Sequence, residues 1–177
     1  ADNVSLGAGG KDAVPRDHNR DWSDQPVYPE VAAAQQRILD LNAQGRLHVF
    51  VDLHNPGPGE PRPYFYGPLD LDTMPAPQQR NYARLLALSA ECIRDPLPMD
   101  AKYHFATYVK TEEERGRVSG TWVRNHTSDG TVAVSLETAW DTPHSTPNGY
   151  QAVGRQLAQA VARYLAEVQQ PGNSADR

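Results

Sequence analysis

Apolar positions along the chain recur with two different periods. Val31, Ala34, Ile38 and Leu41 are spaced three, four and three apart, behind a Pro29 suited to a first helical position. They predict an amphipathic helix ending at Gly45. Tyr82, Leu85, Leu86, Ser89 and Ile93 mark one face of a second helix from near Pro77 to Ile93, closed by Pro96 and Pro98. The longest stripe, from Tyr150 through Val153, Leu157, Ala160 and Tyr164 to Val168, predicts a terminal helix followed by a polar tail over 169–177.

The remaining apolar runs are too short for helices. Leu47 to Leu53 is dense in Val, Leu and Phe and is broken by Pro56 and Gly57, which predicts a buried strand. Thr131 to Leu136 predicts a second, introduced by the turn signal Asp129-Gly130. Tyr64-Phe65-Tyr66 forms a short strand stopped by Gly67-Pro68, and Tyr103, Phe105 and Tyr108 hint at another. Gly120 to Val123 begins a short helix, whereas residues 1 to 26 lack periodicity and form a loop region. The alternation of helix and strand predicts an α/β domain with a mixed sheet flanked by helices.

Composition narrows the classes of function. A chain of 177 residues suits one domain with its own core. A net charge of −5, without a Lys and Arg cluster, argues against nucleic acid as a partner. No apolar run has the length of a membrane span. The single Cys92 excludes an internal disulfide and is expected as a small core residue, and Glu112, Glu113 and Glu114 as a solvated face.

Candidate chemistry gathers at the strand ends. Asp52 and His54 are two apart and share a face, with His54 at the carboxyl end, where open α/β sheets place ligands. A histidine there serves either as a metal ligand or as a structural residue, and the strand alone does not choose. The second strand delivers Glu137 to its end in the same way, and the loop Arg16-Asp17-His18-Asn19-Arg20-Asp21-Trp22 is dense in polar groups.

Taken in order, Asn19-Arg20, Val51-Asp52-Leu53-His54, Ser119-Gly120 and Glu137 resemble the second half of the zinc metallocarboxypeptidases of the carboxypeptidase A type. Trp22 after the Asn-Arg pair, Tyr28-Pro29-Glu30 entering a helix and the long terminal helix add to the resemblance, which covers nearly the whole chain. It implies a three-layer carboxypeptidase-like fold over residues 1–168 and a peptide hydrolase acting on substrates with a free carboxylate. Asn19 and Arg20 would hold that carboxylate, His54 would bind one zinc ion, and Glu137 would be the general base. The chemistry is consistent with those roles. A guanidinium matches a carboxylate with parallel donors, and zinc polarises a carbonyl and activates water.

The chain departs from the family in three ways. The His-x-x-Glu motif that supplies two zinc ligands ahead of the Asn-Arg pair is absent: His104 is followed three on by Thr107, and His126 by Asp129. Catalytic zinc needs three protein ligands. The expectation is therefore that the native protein extends about a hundred or more residues further at its N-terminus, the alternative being a zinc-free relative. No Arg precedes the pair where the family stabilises its oxyanion, and Lys11 is the candidate by position. No Tyr stands at Arg115-Gly116-Arg117, where the family places one. Competing readings are a zinc amidohydrolase acting on acyl-amino acids and a zinc-free carboxylate-binding module. A serine hydrolase is disfavoured, since no Gly-x-Ser-x-Gly elbow occurs.

Overall fold

The structure, a computed structural model, describes residues 10–57, 59–105, 107–109 and 111–168. The tail expected over 169–177 lies outside them, as do residues 1–9 of the leading loop. Strands β1 (Val49–His54), β2 (Tyr64–Gly67), β3 (Tyr103–Phe105) and β4 (Val132–Glu137) form one sheet in the order β1-β4-β2-β3. β1 runs parallel to β4, β4 antiparallel to β2, and β2 parallel to β3, so the sheet is mixed as expected. Helices α1 (Pro29–Ala43), α2 (Ala76–Cys92), α3 (Glu112–Gly116), α4 (Ser119–His126) and α5 (Pro147–Val168) flank it.

The period-2 alternation of β4 divides the core in two. Val132, Val134 and Leu136 face one way and join Phe65, Tyr82, Leu85, Leu88, Val153 and Tyr164, so α2 and α5 cover this face. Ala133 faces the other way and packs with Ile38, Trp122 and Val123, which brings α1 and α4 over the opposite face. Three layers result, with β4 as the central strand.

β1 begins two residues and β4 one residue later than the sequence predicts, and each takes in its polar end residue. His54 and Glu137 are the last members of their strands, at the ends where the sequence places them. The apolar face of α1 also includes Gln35, which is buried and donates from Nε2 to the carbonyl of Ser23 at 3.1 Å. Gly45 ends that helix with φ 65°, a conformation glycine adopts without a Cβ clash. Cys92 is half-buried against the core at the end of α2. Glu112, Glu113 and Glu114 lie exposed on α3, the first two paired with Arg115 and Arg117.

The polar loop before α1 is held by one carboxylate. Asp21 is fully buried, and its two oxygens accept from the backbone N–H groups of Val27 at 3.0 Å and Tyr28 at 2.8 Å, with Arg16 Nε 3.7 Å away. His18 stacks on Tyr28, ring centroids 3.8 Å apart, and its Nε2 lies 3.1 Å from Glu30. Removing the charge of Asp21 while keeping its shape weakens two charge-assisted bonds. Asp21→Asn should therefore lower unfolding free energy by about 2 kcal/mol in urea titrations; an unchanged midpoint would show that the loop is held by other contacts.

Candidate active site

Register decides which side chains meet. In the parallel pair β1–β4, Asp52 lies opposite Ser135 and His54 opposite Glu137. In the antiparallel pair β2–β4, Tyr64 lies opposite Glu137 and Tyr66 opposite Ser135. Paired residues share a face, so Asp52, His54, Glu137, Tyr64 and Tyr66 all stand on the side of the sheet that α1 and α4 cover only at its amino-terminal half. The carboxyl half of this face borders a cleft of about 460 Å³.

Every site residue named from the sequence reaches that cleft: Lys11, Asn19, Arg20, His54 and Glu137 all line it. The loop carrying Asn19-Arg20 is a single 3-10 turn, His18–Arg20, whose first N–H groups are met by Asp17: its Oδ1 accepts from Asn19 N at 2.9 Å. Arg20 donates from Nη1 to the carbonyl of Asn19 at 2.8 Å and from Nη2 to the phenol of Tyr108 at 3.4 Å, both uncharged acceptors. Lys11 holds its Nζ 5.6 Å from the centroid of the Tyr108 ring.

Asn19 is engaged within the protein. Its Oδ1 accepts from the backbone N–H of Ser119 at 2.9 Å, at the start of α4, and its Nδ2 lies 3.2 Å from His54 Nε2. Asp52 Oδ2 lies 3.2 Å from the same Nε2 and accepts a short hydrogen bond from the Ser119 hydroxyl. Loop, β1 and α4 are tied together at this point.

Electrostatics separates the two carboxylates. Burial pushes the Asp52 carboxyl up, but the hydrogen bonds from His54 and Ser119 outweigh it and hold the group below its ordinary value. Hydrogen bonding to Asp52 raises His54, against a smaller opposing effect of burial. Glu137 is raised, first by burial, with His54 pulling the other way and Asp52 adding to the rise. Tyr64, also desolvated and facing Glu137, is pushed up to about 12. One carboxylate is thus stabilised in its charged form and the other is held as a better base.

The sequence reading missed the three phenols of Tyr64, Tyr66 and Tyr108, which line the cleft. The alternation Tyr64-Phe65-Tyr66 carries a signal that the two tyrosines share a face, but which face depends on pairing with β4. Tyr108 comes from the segment after β3 and is 58% exposed. No local pattern marks it.

Among the described residues, no group of three or more His, Cys, Asp and Glu side chains is placed to hold a metal ion. The imidazole of His54 has the chemistry of a zinc ligand, with its hydrogen-bonding contacts on Nε2.

No family model matches the chain, and no curated protein does. Solved structures do. A metallo-carboxypeptidase from Burkholderia cenocepacia superposes with a TM-score of 0.69 at 16% identity over 92% of this chain and 42% of its own. A metallo-carboxypeptidase from Pseudomonas aeruginosa, solved with (2-guanidinoethylmercapto)succinic acid, gives 0.62 at 17% identity over 92% of this chain and 43% of its own. The fold is that of part of a metallo-carboxypeptidase. The chain spans about two-fifths of the length of these relatives, and the mixed sheet with flanking helices is the portion of the carboxypeptidase fold that it carries.

The raised Glu137 has a consequence for stability. A carboxyl whose folded value lies above its unfolded value contributes nothing unfavourable while both states are protonated, below its ordinary 4.5. As pH rises through the folded value, the cost of ionising it in the fold is fully imposed. Glu137→Gln should therefore match the parent's thermal midpoint near pH 4 and exceed it at pH 8; equal midpoints at both would mean that the carboxylate is not destabilised in the fold.

Proposed function

We propose that this chain is part of a zinc-dependent metallo-carboxypeptidase, a hydrolase that removes C-terminal residues from peptides. The observation that carries this reading is the convergence of Arg20, Lys11, His54 and Glu137 on one cleft at the carboxyl ends of the strands, within a metallo-carboxypeptidase fold. Arg20 binds the substrate's terminal carboxylate through its guanidinium, with the Tyr108 phenol beside it. This leaves the scissile carbonyl toward His54 and Glu137. Glu137, raised by burial, accepts a proton from the attacking water and passes it to the leaving amine. Lys11 supplies positive charge near the developing oxyanion.

His54 would be one protein ligand of the zinc ion, which when bound polarises the carbonyl and makes water more acidic. Its other two ligands would come from a His-x-x-Glu segment N-terminal to these residues. Since the described residues hold no three-ligand group, the 177-residue chain by itself is expected to bind carboxylates without turning peptides over.

Two variants test the assignment in protein that includes such a segment. Glu137→Gln should retain one zinc per chain by elemental mass spectrometry and lose about 10²–10⁴-fold in kcat; unchanged turnover rejects the base. Arg20→Ala should reduce kcat/KM about 10- to 100-fold for peptides with a free C-terminus and far less for amidated ones. Equal losses on both would remove Arg20 from the carboxylate site.

A further inference from the structure

Two groups compete for one nitrogen of His54. Asp52 Oδ2 and Asn19 Nδ2 each lie 3.2 Å from Nε2. The Asn19 amide cannot be turned over without loss, because its Oδ1 already accepts from the backbone N–H of Ser119 at 2.9 Å. It therefore presents an N–H donor to Nε2. Asp52 presents an acceptor, and its Oδ2 is further stabilised as a carboxylate by the Ser119 hydroxyl. A neutral imidazole carries a single proton and satisfies only one of the two. With the proton on Nε2, His54 donates a charge-assisted bond to Asp52; with the proton on Nδ1, Nε2 accepts a neutral bond from Asn19 and its lone pair faces the carboxylate. Charge-assisted bonds are roughly twice as strong as neutral ones, so the first arrangement wins.

We propose that Asp52 is the positioning residue of this site: it fixes His54 as the Nε2–H tautomer, and its removal hands the ring to Asn19, which turns it into the Nδ1–H tautomer. Only the first leaves the Nδ1 lone pair available as a donor. This deepens the zinc reading above and rests on it for the identity of the ligand, while the tautomer itself is a property of the metal-free chain. Asn19 thereby serves the site from within, as the standing alternative partner that makes the loss of Asp52 a switch rather than a loosening.

The test is proton-detected nitrogen-15 spectroscopy of the His54 ring in this chain without metal, at a pH where the imidazole is neutral. The parent and Asn19→Ala should both show protonated Nε2 and unprotonated Nδ1. Asp52→Ala should show the reverse, and Asp52→Ala with Asn19→Ala a mixture of both. An Nδ1–H ring in the parent overturns the proposal even if Asp52→Ala does not fold. An Asp52→Ala protein that keeps the Nε2–H ring overturns the role of Asp52. Because no metal or peptide is present, a failure of the peptidase reading would leave these spectra unchanged, and a failure here would leave Glu137 and Arg20 to be judged on their own kinetics.

Discussion

The in-register parallel pairing of β1 with β4 is the constraint on which the site depends. It sets His54 opposite Glu137 and Asp52 opposite Ser135, and a slip of β1 by one residue would turn Asp52 and His54 to the face covered by α2 and α5 while Ser135 and Glu137 stayed on the other. The register is itself enforced by burial. Val132, Val134 and Leu136 are nearly inaccessible on that covered face, with Val49 and Val51 of β1 packed against the same core, so a one-residue shift of β1 would replace those valines by Phe50 and the charged Asp52. The same apolar alternation that builds the core therefore aims the chemistry.

The second face shows how a partly covered sheet makes a cleft. Trp122 and Ile38, from α4 and α1, close over Phe50 and Ala133 at the amino-terminal half, while the carboxyl half is left to Asp52, His54, Glu137 and the tyrosines. Two carboxylates on this one face then acquire different characters. Asp52 has donors in His54 and Ser119 that more than offset its burial, whereas for Glu137 burial outweighs the attraction of His54. A group held charged suits holding another residue in place, and a group held near its proton suits transferring one.

How far the site was legible in the sequence follows the same division between local and distant causes. Asp52 and His54 two apart at the end of an apolar run, Glu137 at the end of another, and the helical stripes of α1, α2 and α5 are local patterns, and the structure places them close to where those patterns put them. Asp21 could be read only as one polar residue in a polar loop, because its partners, the N–H groups of Val27 and Tyr28, become a binding site for it only when the loop turns back. Gln35 broke the apolar pattern of α1 for a comparable reason, its amide being satisfied by Ser23. Tyr108 and the inward use of Asn19 depend on contacts spanning about 90 and 100 residues of sequence, which no periodicity reports.

His54 and the border of the sheet fall on the same strand. Among the described residues β1 has one strand partner, and Leu53 on it is 71% exposed while Leu136, its neighbour in the register, is 1% exposed. Around His54, β4 occupies one side, the Asn19 loop another, and Asp52 with the start of α4 a third. Any further group approaching His54 would accordingly have to come across the β1 border or over the strand ends. A border strand with a half-covered apolar face is where a further packing contact gains most. A contact made there would finish the burial of β1 within reach of the His54 imidazole.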